Sequence, residues 1–93
     1  MIRGFACKET EKIWGEEFSR KLPTQMQKLA LRKLRMLDAA SRLESLRAPP
    51  GNRLEALRGD RAGQYSIRIN EQWRICFKWR DGYADEVEIV DYH

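Results

Sequence analysis

The stretch "QYSIRINEQWRICFKWRDGYADEVEIVDYH", residues 64–93, decides the fold. Its apolar residues recur at every second position, the period of a strand with one face in a core. Tyr65, Ile67 and Ile69 alternate with Ser66 and Arg68. Trp73, Ile75, Phe77 and Trp79 alternate with Arg74, Cys76, Lys78 and Arg80. Val87 and Ile89 alternate with Glu86 and Glu88. These are three strands, joined by "NEQ" and "RDGY". The odd-numbered set must share the buried face, because a slip of one residue would turn it all to water. That aligns Ile67, Ile75 and Ile89. A two-residue turn at Asp81-Gly82 would set Phe77 against Glu86. The register therefore predicts a three-residue or bulged turn at 81–83, despite the Asp-Gly hairpin signal.

The same register fixes the other face. Arg68 falls directly opposite Arg74, and like charges so placed repel unless water or an anion lies between them. Lys78 meets Glu86 as an ordinary cross-strand pair. Tyr92 lies one same-face step from Val90, the third member of the Arg68–Arg74 row. A phenol, two guanidiniums and the imidazole of His93, the one histidine of the chain, then share one end of the sheet.

Upstream, the short apolar "MIRGFAC" reads as a strand. In "KETEKIWGEEFSRKL", Ile13, Trp14 and Phe18 have helical spacing, and Pro23 ends that helix. Thr24 is an N-cap candidate for a longer second helix. Met26, Leu29, Ala30, Leu34 and Leu37 form its apolar face, which Ala40 and Leu43 extend. Lys28, Arg32 and Arg35 lie opposite. "RAPPGN" stops it. "RLEAL" is a short strand and "RGDRAG" a turn. The order β-α-α-β-β-β-β is an α+β fold. Two N-terminal helices pack on a small, mainly antiparallel twisted sheet, within a single domain spanning 1–93.

Composition bounds the function. The 93 residues carry 42% hydrophobic and 34% charged residues, with a formal net charge of +4. This suits a globular chain with one modest core. Residues 20–35 hold six basic groups and no acid, whereas 81–93 hold five acids and no Lys or Arg. A basic face of this kind fits a polyanion or an acidic protein. Cys7 and Cys76 are far apart and lack metal-ligand spacing, so free thiols and no bound metal are expected. No apolar run approaches the roughly 20 residues that span a membrane. Arg3 and Lys8 interrupt any leader-like segment, and the expected location is cytoplasmic.

Two stretches carry a resemblance that covers essentially the whole chain. They are "NRLEALRGDRAGQYSIRINEQWRICFKW" and the terminal "VEIVDYH". The Gly-Asp-Arg-x-Gly-x-Tyr-Ser-Ile block, followed by Trp-Arg-Ile-x-Phe and then Asp-Tyr-His, resembles toxins of the RelE/ParE superfamily. It is most similar to the HigB-like branch, which includes GraT-type toxins. The resemblance implies a type II toxin–antitoxin system and a toxin that inhibits translation as a ribosome-dependent mRNA endoribonuclease. It also implies cleavage without a metal or organic cofactor. The implied partners are the ribosome with its mRNA and a HigA-like helix-turn-helix antitoxin, with operator DNA reached only through the antitoxin. By matching positions it implies catalytic Asp91, Tyr92, His93 and Arg74, with Arg58 as a basic residue before Gly59. Where some relatives have a histidine on the preceding strand, this chain has Glu55.

Metal-free RNA cleavage needs three things: a base for the ribose 2′-hydroxyl, charge stabilisation at phosphorus, and an acid for the leaving 5′-oxygen. His93 has the one side chain here that ordinarily titrates near neutrality, and is assigned as general acid or base. Asp91 orients it. Tyr92 binds phosphate or stacks on a base. Arg74 and Arg68 supply paired donors to phosphate, with Arg58, Arg61 and Lys78 as further phosphate-binding candidates. Glu55 is either a base or an exposed strand residue. The alternative readings are an inhibitor of ribosome assembly or function that does not cut, a gyrase inhibitor, and an RNA-binding module without toxicity.

Overall fold

The computed structural model describes residues 1–92; His93, and with it the proposed terminal acid or base, lies outside the described residues. Two helices, α1 (Lys8–Trp14) and α2 (Thr24–Ala39), precede four strands: β1 (Glu55–Ala56), β2 (Gln64–Arg68), β3 (Trp73–Arg80) and β4 (Tyr83–Asp91). The strands form one antiparallel sheet in sequence order. The alternation read from the sequence holds. Ile67 pairs with Ile75, Ile75 with Ile89, and Arg68 with Arg74. Ile67, Ile75, Phe77 and Val87 are fully buried, in one cluster with Met26, Ala30, Leu34 and Leu37 of α2. Phe77 also meets Trp79 edge-on and lies tilted to Tyr65, which adds directed aromatic contact to the buried area.

The β3–β4 turn departs from expectation. Arg80 pairs with Tyr83, so the turn has two residues, Asp81 and Gly82. Both have positive φ, the twist that matches hairpin strands. The additional residue lies further along. Cys76 pairs with Glu88 while Lys78 pairs with Asp85, so Phe77 faces both Glu86 and Val87. Glu86 takes φ +49° as the bulged residue. Ala84 before the bulge and Val87 after it are thus both fully buried.

Four further expectations are corrected. The first helix ends at Trp14, not beyond Phe18. Glu16 turns left-handed, its amide bonds to the Ile13 carbonyl, and that of Glu17 bonds to the Lys12 carbonyl. This double closure is a Schellman stop, and it leaves Phe18 59% exposed. Thr24 is the first residue of α2, not its cap; Pro23 holds the cap position. α2 stops at Ala39, and Leu43 instead opens a short 3₁₀ turn that ends at Arg47. The N-terminal stretch makes only isolated parallel bridges to β4, Ile2 to Ala84 and Phe5 to Val87. Past those bridges, the Ile89 amide donates to Thr10 Oγ1 of α1 at 2.9 Å. The outer edge of β4 is thereby covered. Among the described residues, no helix is long and apolar enough to cross a membrane.

Candidate active site

The site is built on Arg74. Even positions of β3 point away from the helices, yet Arg74 is only 8% exposed. A buried guanidinium is tolerable when its donors are satisfied. Nε donates to Ser66 Oγ at 2.8 Å, and Nη2 donates to the carbonyls of Arg53 at 2.6 Å and Ser66 at 3.3 Å. The ring of Tyr92 lies 5.6 Å from Cζ, within reach of a cation–π contact. The Glu55 carboxylate is 3.9 Å from Nη2, with its side chain half exposed. Arg74 is therefore aimed by four neighbours: Glu55 of β1, Ser66 of β2, Tyr92 just past β4, and Arg53 just before β1.

Arg68 stands opposite Arg74 in the ladder, and its Nε donates to the Asn70 carbonyl at 3.0 Å. The two guanidiniums and Tyr92 line one polar cleft of about 200 Å³, completed by Arg53, Asn70 and Glu71. Asp91 is next along β4, opposite Trp73, and its Oδ2 accepts from Gln72 Nε2 at 3.2 Å. The Tyr92 amide donates to the Gln72 carbonyl. The β2–β3 loop thus holds the end of β4 in place. Strand alternation puts Asp91 and Tyr92 on opposite sides of the sheet.

The remaining candidates lie elsewhere. Arg61 bridges Gln64 Oε1 at 3.1 Å and Glu88 Oε1 at 3.2 Å. Lys78 pairs with Glu86 at 2.9 Å. Both cations are partly neutralised in the middle of the open face. Arg58 is exposed, just before the short turn Gly59–Arg61. On the same face, burial pushes the Cys76 thiol above its ordinary range.

The sequence missed Ser66, Arg53 and Gln72. Ser66 carried a faint signal, being a small hydroxyl within a strand of large side chains. Arg53 and Gln72 carried none, because each acts through a contact made only after the chain has folded.

This architecture is shared with solved chains of similar length. A chain of the YoeB–YefM complex from Staphylococcus aureus superposes with a TM-score of 0.62, covering 100% of this chain and 98% of that one, at 19% identity. YafQ from Escherichia coli strain BL21(DE3) superposes with a TM-score of 0.57, covering 98% and 93%, at 13% identity. At such identities the likeness shows the fold alone.

The sequence comparison is more particular. A model of the HigB-like family, the RelE-like toxin of the type II toxin–antitoxin system HigB, matches residues 3–93, and the chain belongs to that family. Toxin HigB-1 of Vibrio cholerae is 44% identical over 77 residues, which cover 76% of this chain and 81% of that protein. Endoribonuclease HigB of Proteus vulgaris is 29% identical over 93 residues, the whole of both chains. Membership makes an antitoxin the partner class.

Proposed function

We propose that the protein inhibits translation as an mRNA endoribonuclease acting on the ribosome, using side-chain acid–base chemistry. The observation that carries this reading is the cleft itself. Arg68 and Arg74 face each other across the ladder beside Tyr92, an arrangement that favours an anion between them. The name of the Proteus vulgaris relative, an endoribonuclease, supports the same reaction.

In this reading Arg74 and Arg68 stabilise the charge that develops on phosphorus. Arg74 suits the task because Ser66 and the Arg53 carbonyl fix its plane before substrate arrives, so little reorganisation accompanies reaction. Tyr92 packs against Arg74 and offers its hydroxyl to the phosphate or its ring to a base. His93 exchanges the proton with the ribose or the leaving oxygen, and Asp91, whose carboxylate accepts from Gln72, holds the chain end that carries it. Glu55 tempers the field of Arg74 rather than serving as the base, since its carboxylate lies on the guanidinium. Arg58, Arg61 and Lys78 extend a basic track for the strand, with Arg61 and Lys78 exchanging Glu88 and Glu86 for phosphate. A HigA-like helix-turn-helix antitoxin restrains the toxin and carries it to operator DNA.

Primer extension on mRNA in a translation extract tests this. Purified protein should produce discrete new 5′ ends, and His93→Ala should abolish them. Translation arrest without new ends would instead establish a toxin that blocks the ribosome without cutting.

A further inference from the structure

Arg53 immediately precedes β1 and takes φ +45° and ψ +55°, the left-handed region that side chains other than glycine seldom occupy. Its neighbour enforces this. Asn52 is fully buried, and its Nδ2 donates to the carbonyls of Leu46 at 3.1 Å and Ala48 at 3.3 Å, while its Oδ1 accepts from Lys33 Nζ. With Asn52 pinned, the left-handed step turns the Arg53 carbonyl inward onto Arg74 Nη2 and leaves its side chain lining the cleft. Backbone strain of this kind, held by its surroundings, is commonest at functional positions.

The charges in the cleft add a second argument. Three guanidiniums line it, against one lining carboxylate, that of Glu71, and a second, that of Glu55, stands 3.9 Å behind Arg74 Nη2. Arg74 is turned inward with Nε and Nη2 committed to protein acceptors, whereas Arg53 is exposed and Arg68 half-buried. The cleft therefore presents more cationic surface than one phosphate needs. At about 200 Å³ it is also smaller than the roughly 300–1,000 Å³ pockets that enclose small molecules, so it suits charged groups along a strand rather than an enclosed ligand.

We infer that Arg53 forms a second phosphate subsite, binding a backbone phosphate of single-stranded RNA next to the one held at Arg74. The inference rests on the reading of the cleft as an RNA site. It assigns one residue two separable jobs: the backbone carbonyl aims Arg74, and the side chain holds the strand.

The test uses a fully 2′-O-methylated single-stranded RNA oligonucleotide, which cannot be cut through a 2′-hydroxyl. Its affinity is measured against salt concentration for the wild type, Arg53→Lys, Arg53→Gln and Arg53→Gly. Glycine relieves the left-handed backbone and keeps the carbonyl, so that variant retains the fold. Arg53→Gln and Arg53→Gly should each weaken binding roughly tenfold at low salt. Each should also lower the slope of log affinity against log salt by about 0.7, the value for one phosphate contact on a single strand. Arg53→Lys should keep the slope. Unchanged affinity and slope in Arg53→Gln and Arg53→Gly would overturn the subsite, as would a wild type that does not bind the probe. Binding with these shifts, alongside a wild type that never cleaves mRNA, would overturn the endonuclease reading and leave the subsite standing.

Discussion

On one face of β3, Ile75 and Phe77 are fully buried among the side chains of α2. On the other, Arg74 and Cys76 are almost as inaccessible, although the residues around them are polar or charged. The first face is closed by area. Any apolar set of suitable volume seals it, and the stabilisation follows from surface removed from water. The second is closed by satisfaction of donors. Arg74 is acceptable there only because Ser66, Arg53 and Tyr92 meet it at defined distances. The first kind of burial makes a fold, and the second makes a site on it.

Substitutions on the two faces should therefore fail differently. Phe77→Ala empties the centre of the core and should cost about 3–5 kcal/mol, a large share of the stability of a domain this size. Chemical denaturation would show it as a lower midpoint. Any surviving folded fraction should keep its activity per molecule. Arg74→Ala should cost less stability, about 1–3 kcal/mol, from the acceptors it leaves unpaired. Its cleavage rate should fall by about 10²–10³, the usual loss for one preorganised donor. Equal losses of activity per folded molecule in the two variants would erase the distinction between the faces. Glu55→Gln should give the smallest change. Removing a half-exposed partner worth up to about 1 kcal/mol should raise mRNA cleavage by up to about fivefold. A fall in rate would make Glu55 the base instead.

The two faces also differ in how much the sequence disclosed. The apolar face was legible because its rule is periodic. Ile67, Ile75 and Ile89 could be aligned from spacing alone, and that alignment placed Arg68 opposite Arg74. The polar face was legible only in its row. Nothing local in "GNRLE" announces that the Arg53 carbonyl will meet a guanidinium 21 residues away. The end of α1 was misread because Phe18 continues the helical spacing while the Gly15-Glu16 backbone stops it, and tight closure outranked pattern. At the hairpin the spacing of the apolar residues shows the mismatch of one residue but not its place, which lies outside the turn. Asp81-Gly82 fits a two-residue turn well, so the strand absorbed the difference at Glu86.

That single extra residue sets the phase of everything after it. Before Glu86, the side chains of β4 that enter the core have even numbers; after it, they have odd numbers. Tyr92 reaches the cleft, rather than the side of the helices, because of a half-step taken six positions earlier. The bulge acts as a gear between the two ends of the strand. The turn keeps its own geometry while the far end keeps its own facing. A deletion of Glu86 would touch no cleft residue, yet it would bring the two ends back into one count. Either the hairpin or the Tyr92 face would then have to give way.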